Sequence, residues 1–324
     1  MKIKKILIFS RHGLRYPLIN NSSITNWEYP IGDLTLKGST LEYLFGQHLN
    51  EMLDIKDEKI YFLSNSMKRT YLTARALALA FKPYEDTKIN MKHNTFDITD
   101  DRFNLLLKNK EIINNSKIDV IDEKLKTIYE TMENILKLKK GTISNNKSVI
   151  WANEDGFILV DGALKIATDI CDLFLLKYYE GFKKEDIFVS NKFLSNLKLM
   201  SKAKDEFLEL IFTNTDYINN SKENIYNLVK DELSNIKNKV SVFVGHDSNL
   251  ATLMKMFNIK YKYPNKYSIE KYPVGAKLIF KVFEDNSYEI YYSYFDYKAI
   301  RNFEIKKPYM FLLKKGNNIK DIIK

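Results

Sequence analysis

The segment that most restricts what this chain can become is Ile6-Leu7-Ile8-Phe9 running without a break into Ser10-Arg11-His12-Gly13-Leu14-Arg15-Tyr16-Pro17. Four β-prone apolar residues bounded by charge read as a buried strand, and Gly13 and Pro17 stop it. His12 then stands at the carboxyl end of a strand, where open α/β sheets bind their ligands. Arg11 and Arg15 offer forked donors that match phosphate oxygens. Their charge disfavours protonation of the imidazole between them, and a neutral imidazole facing phosphorus is a nucleophile. For a single histidine between arginines, a basic surface turn is the commoner reading. The density of these residues just behind a strand sets it aside.

The same arrangement recurs twice. Lys59-Ile60-Tyr61-Phe62-Leu63-Ser64 reads as a strand ending at Asn65-Ser66, and an Ala- and Leu-rich helix from Met67 to about Phe81 follows, with Arg69 in its first turn. A cation there opposes the helix dipole, so a bound anion explains it better than local stability does. Arg75, deeper in the helix, reads as a surface residue. Val240-Ser241-Val242-Phe243-Val244 is a third strand, followed by Gly245-His246-Asp247-Ser248-Asn249 and a helix from Leu250 to about Met256. Asp247 alone would be an ordinary helix cap. Beside an imidazole and a phosphate site, a carboxyl group can protonate the leaving oxygen of a phosphomonoester, with His246 as a donor to a phosphate oxygen.

The stretch from Arg11 to Pro17 resembles the Arg-His-Gly-x-Arg-x-Pro signature of the histidine acid phosphatases, a branch of the histidine phosphatase superfamily. Asn65-Ser66-Met67-Lys68-Arg69-Thr70, with Thr73-Ala74, resembles the family's second arginine block, and His246-Asp247 resembles its catalytic pair. Tyr272-Pro273-Val274-Gly275-Ala276-Lys277-Leu278 is similar to the strand entry that follows. Likeness extends over Trp27 to Leu53 and Gly162 to Phe182, in the family's order, and is greatest to its bacterial glucose-1-phosphatase and phytase branch. The resemblance implies an α/β fold, an α/β/α core sheet with helices on both faces and an inserted α-helical cap domain. It implies His12 as nucleophile, Asp247 as proton donor, and Arg11, Arg15, Arg69 and His246 as holders of the phosphoryl oxygens. Glu154 would be an acidic gate at the pocket mouth. The substrate would be a small phosphomonoester, a sugar phosphate such as glucose 1-phosphate or an inositol phosphate such as phytate. No cofactor and no metal are expected, since three guanidinium groups supply the charge stabilisation. Asp169 and Asp172, three residues apart on one helix, read as solvated carboxylates.

The remaining sequence bounds this reading. Lysine-rich helical patterns from about Leu105 onward place a helical cap at 105–236, leaving 1–104 plus 237–324 as a discontinuous catalytic core. Asn20-Asn21-Ser22-Ser23 and Trp27-Glu28-Tyr29-Pro30 read as a loop bordering the site. Lys277–Phe283 and Tyr288–Tyr294 read as a hairpin at the sheet edge. The net charge of +10 is spread along the 324 residues without a basic arm, so no nucleic-acid partner is expected. Cys171 is the only cysteine, which excludes an intrachain disulfide, and it reads as a core filler. The apolar run after Lys5 is too short for a signal segment and none is long enough for a membrane span. A cytoplasmic location follows, or a periplasmic one if a leader has been removed. Two other functions share parts of the pattern: a phosphoryl-transfer mutase of the same superfamily, and a non-enzymatic protein binding an anion or nucleic acid.

Overall fold

The computed structural model describes residues 2–19, 27, 30–55, 57–235, 237–261, 266–304 and 306–323. In chain order the elements are β1 (Ile3–Arg11), α1 (Leu36–Leu53), β2 (Ile60–Ser64), α2 (Lys68–Phe81), β3 (Ile89–Asn90), α3 (Ser116–Leu136), β4 (Val149–Ala152), β5 (Ile158–Asp161), α4 (Ala163–Glu180), α5 (Phe193–Phe212), α6 (Thr215–Asn219), α7 (Ile225–Ser234), β6 (Val240–Gly245), α8 (Asp247–Met256), β7 (Lys277–Phe283), β8 (Tyr288–Tyr294), α9 (Tyr297–Asn302) and β9 (Tyr309–Gly316). One sheet runs β3-β2-β6-β1-β7-β8-β9. Its first four strands are parallel and the rest antiparallel.

β1 is apolar without alternation because both of its faces are covered. Ile6 and Ile8 pack with Leu41, Phe45 and Leu49 of α1 and Leu77 of α2. Leu7 and Phe9 pack with Val229 of α7 and Leu250 and Leu253 of α8. The result is an α/β/α core. Helices α3, α4 and α5 extend the first of these clusters through Ile118, Leu125, Ala167, Leu197 and Met200. No helix among the described residues is long and apolar enough to cross a membrane.

Three details differ from the expectations. The β7–β8 hairpin is inside the sheet, because β9 pairs with β8 and takes the edge; β9 is half-exposed and carries Lys314 and Lys315 near its end, which hides it in the sequence. The segment 105–236 is not wholly helical, since β4 and β5 form a two-stranded hairpin. Its last helix, α7, packs on the sheet through Ile225, Val229 and Leu233. Asn20 to Ser23, Glu28 and Tyr29 of the expected loop lie outside the described residues. Trp27 lies against Tyr16 and Phe182, ring centroids 5.5 and 4.9 Å away.

Helix α1 is stitched to the first motif. Thr35 caps it, Oγ1 accepting from the Gly38 N–H at 2.9 Å, and the Thr35 N–H donates to the Leu14 carbonyl at 2.9 Å. This approach is possible only at glycine: a Cβ on Gly38 would lie 2.0 Å from the Leu14 oxygen. Gly38→Ala is expected to cost ~1–3 kcal/mol of stability by overpacking, read as a lower urea midpoint with an unchanged slope. An unchanged midpoint would mean that α1 shifts freely.

Candidate active site

β1 and β6 lie side by side in parallel, Ser10 opposite Val244 and Arg11 opposite Gly245, and the His12 N–H donates to the Gly245 carbonyl at 2.9 Å. The two histidine motifs therefore leave the sheet at one point. The rings of His12 and His246 meet edge to face, centroids 5.4 Å apart. Helix α2 is tied to the same place, the Gly13 N–H donating to Thr73 Oγ1 at 3.0 Å, one turn beyond Arg69.

Hydrogen bonding fixes both tautomers. Nδ1 of His12 lies 2.8 Å from the Gly13 carbonyl; a carbonyl only accepts, so Nδ1 holds the proton and Nε2 keeps its lone pair. At His246, Nε2 lies 2.6 Å from Asn65 Nδ2. Asn65 Oδ1 already accepts from the Ser66 N–H at 2.7 Å, so its amide turns an N–H to the ring. Nε2 of His246 accepts and Nδ1–H remains a donor. Burial first, then the field of Arg69, holds both imidazoles well below the ordinary histidine pKa. Both are neutral.

A network of buried charge surrounds them. Arg11, 1% exposed, sets Nη2 3.0 Å from Asp247 Oδ2 and Nη1 3.2 Å from Glu270 Oε2, and donates to the Tyr272 carbonyl. Lys204 Nζ lies 3.0 Å from both Asp172 and Glu270 and 3.5 Å from Asp247. Arg15 reaches Asp172 at 2.9 Å. Burial works against ionisation of Asp247, but Arg11 and Lys204 outweigh it and hold its pKa below the carboxylate range. Asp172 is held down likewise, by Arg15 and Lys204 against burial. Three carboxylates thus meet three cations. Arg69 makes no salt bridge among the described residues; burial first, then Arg15, lowers its pKa to about 10, so it stays charged. The Nε–H groups of Arg11, Arg15 and Arg69 are buried and have no hydrogen-bond partner among the described residues.

A cavity of about 240 Å³ opens onto this network, with Arg15, Asp172, Lys204 and Asp247 on its polar side and Leu18, Leu173, Phe207 and Leu208 on its apolar side. Lys165 and Asp169 line it as an ion pair. His12, Arg11, His246 and Asp247 come together where the two strands end, with Arg69 in the field of both imidazoles and Arg15 and Asp247 reaching the cavity. Glu154 does not. It is exposed in the turn between β4 and β5, where Asn153 closes on the Phe157 N–H and Gly156 takes a φ of +94°, and it does not line the cavity. Asp172 corrects the expectation of a solvated carboxylate, because α4 is buried almost all round. Lys204 and Glu270 escaped the sequence reading. Lys204 carried a signal: it falls four residues after Met200 and seven after Leu197, a lysine on the apolar face of α5. Glu270, in a loop, carried none.

Lys204→Met leaves Asp172, Asp247 and Glu270 short of a cation and is expected to cost ~3–5 kcal/mol, as when one partner of a buried pair is removed. Asp172 and Asp247 are depressed in the folded state. Their contribution is therefore present above the unfolded-state value of about 3.9 and lost as pH falls through the folded values. Denaturant titrations should show the deficit largest at neutral pH and shrinking toward pH 3; a deficit independent of pH would contradict this electrostatic origin.

No protein-family model matches the chain. Two curated relatives do: the glucose-1-phosphatase of Salmonella typhimurium, 27% identical over 95% of this chain and 85% of its own length, and that of Providencia rettgeri, 28% identical over 88% and 77%. Among solved structures, the phytase of Citrobacter braakii has a TM-score of 0.81 at 17% identity, covering 97% of this chain and 91% of its own. The Hafnia alvei phytase in complex with tartrate has a TM-score of 0.79 at 19% identity, with the same coverage. A likeness in sequence to glucose-1-phosphatases that runs nearly the length of the chain agrees with a separate likeness in fold to phytases.

Proposed function

We propose that the chain hydrolyses small monophosphate esters of polyols, with a sugar phosphate such as glucose 1-phosphate preferred over phytate, through a phosphohistidine on His12. The observation that carries this reading is the meeting of His12 and Asp247 at adjoining strand ends beside Arg69, a half-buried cation without a carboxylate partner among the described residues. Phosphoryl oxygens fit the donors of Arg15, Arg69 and His246 and the buried Nε–H groups. Nε2 of His12 attacks phosphorus and its Nδ1–H stays on the Gly13 carbonyl, so the phosphorylated ring keeps one proton and one hydrogen bond. The P–O bond to the alcohol breaks while Asp247 gives that oxygen its proton. Water then attacks the phosphohistidine, Asp247 takes its proton back, and phosphate and neutral His12 are restored.

The depressed pKa of Asp247 bears on this step. A phosphoryl group among the guanidinium groups offsets the cations that keep the carboxyl ionised, so bound substrate raises its pKa and loads the acid. Charge in the cavity also supports the choice of leaving group. Its two lysines are each paired, Lys165 with Asp169 and Lys204 with Asp172 and Glu270. Further phosphates on one ring would meet carboxylates there, whereas a single neutral sugar has Leu173, Phe207 and Leu208 to pack on and Asp169 to accept its hydroxyls.

His12→Ala should abolish release of free phosphate and acid-labile labelling of the protein; retained turnover would refute the nucleophile, and an isomerised product without free phosphate would favour a mutase. Across substrates, kcat/KM should be higher for glucose 1-phosphate than for phytate, and the reverse order would refute the leaving-group assignment. The rate should fall as pH rises past about 6, where phosphate esters lose their second proton and Asp247 is harder to load. In Arg69→Met the leading charge that depresses His12 is gone, so the His12 pKa rises and an acid-side loss of kcat/KM should move to higher pH. A profile of unchanged shape would show that Arg69 does not act on His12.

A further inference from the structure

Away from the cavity, a second buried ion pair lies against the backbone that carries His12. Lys277 on β7 is fully buried and Glu42 on α1 is 2% exposed; Nζ and Oε2 are 2.7 Å apart. Neither lines the cavity. Lys277 also donates to Ser10 Oγ at 3.0 Å and to the Gly275 carbonyl at 2.8 Å, and its ammonium sits 4.0 Å from the centre of the Phe45 ring. Ser10 is two residues before His12, and the Gly275 N–H donates to the His12 carbonyl at 3.1 Å. Glu42 fills the space behind the two glycines that flank this point: a Cβ on Gly13 would lie 2.8 Å from its Cγ, and one on Gly275 2.2 Å from its Oε1. The peptide of His12 is thus held before, after and opposite by groups resting on one ion pair.

Folding alone does not account for such a pair, because well-packed apolar residues in place of a buried ion pair are often as stable or more so. We propose that Glu42 and Lys277 are positioning residues for the phosphorylation of His12, fixing the backbone of Ser10 to Gly13 and, through the Gly13 carbonyl, the orientation and tautomer of the imidazole. The inference rests on the reading of His12 as nucleophile.

The test is the double variant Glu42→Leu with Lys277→Met, beside Glu42→Gln and the parent protein. Thermal unfolding, kcat and KM for a chromogenic phosphomonoester, and the rate of acid-labile labelling by rapid quench are measured on each. The double variant is expected to unfold at or above the parent temperature, with kcat and the labelling rate down ~10²-fold, the loss that misplacement of a reacting group by about 1 Å can cause, and KM within about twofold. Wild-type kcat in the folded double variant would overturn the proposal, as would losses that only track the unfolded fraction. Should the double variant fail to fold, Glu42→Gln decides, since it keeps the shape behind Gly13 and Gly275 while removing the charge that holds Lys277 in place: a selective fall in kcat supports the proposal and an unchanged kcat refutes it. A parent protein that turns over without labelling His12 would sink the nucleophile assignment instead, so the two failures are distinct.

Discussion

The parallel pairing of β1 with β6 determines where every reacting group can stand, and its register needs an explanation. In a strand with one wet face, a slip of one residue turns its polar side chains inward, and that penalty fixes the alignment. β1 has no such face: Ile6, Leu7, Ile8 and Phe9 are all at or below 2% exposure. Charge at its two ends supplies what alternation does not. At one end Lys5 is buried against Glu232 at 2.7 Å and the carbonyls of Asn235 and Asn238. At the other, Arg11 is held by Asp247, Glu270 and the Tyr272 carbonyl. A slip of one residue moves both anchors by about 3.3 Å, beyond hydrogen-bond reach. Register and site assembly are one requirement, since Arg11 serves both.

The same requirement explains why so much charge is buried in one place. Arg11, Lys204, Asp172 and Glu270 would each be prohibitive alone in the interior, and become tolerable because each touches at least one opposite charge. Removing any of them orphans another, so single substitutions here are not additive. Arg69 is the exception that gives the cluster its polarity. It begins a helix, where a cation is disfavoured, and no carboxylate pairs with it among the described residues. The excess of positive charge is therefore local, at the site, and does not depend on the scattered lysines that make the whole chain basic.

Much of this was legible in the sequence, for a physical reason. Strand-to-turn junctions announce themselves locally: Ile6–Phe9 before Arg11-His12-Gly13, Ile60–Ser64 before Arg69, and Val240–Val244 before His246-Asp247 each combine an apolar run with residues that have no place on a plain surface turn. Long-range partners do not announce themselves. Glu270 became visible only when α5 and β1 were brought together, and Asp172 read as solvated because a carboxylate on a helix usually is. Lys204 could have been found, as a charge out of phase with the apolar face of α5. Glu154 shows the opposite error, a carboxylate placed by its distance from a helix start when the intervening chain forms a tight hairpin. β9 was missed because a half-exposed strand with lysines near its end looks like a solvated tail.

On the roles proposed for these residues, affinity and acidity are linked through shared charges. Arg11 and Lys204 hold Asp247 ionised, and a phosphoryl group competes for the same cations. Binding the ester raises the pKa of Asp247, and by the reciprocity of linkage a proton on Asp247 strengthens binding by the same free energy. A site built from unpaired arginines alone would hold phosphate tightly and leave the acid empty. A site without them would keep the acid loaded and lose the substrate. Interposing Asp172 and Glu270 between the cations tempers both effects: the carboxylates take up part of the field, so the charge of one phosphoryl group suffices to shift Asp247. The buried acids that sequence reasoning passed over are, on this argument, what lets three arginines, a lysine and a proton donor share one cluster without defeating each other.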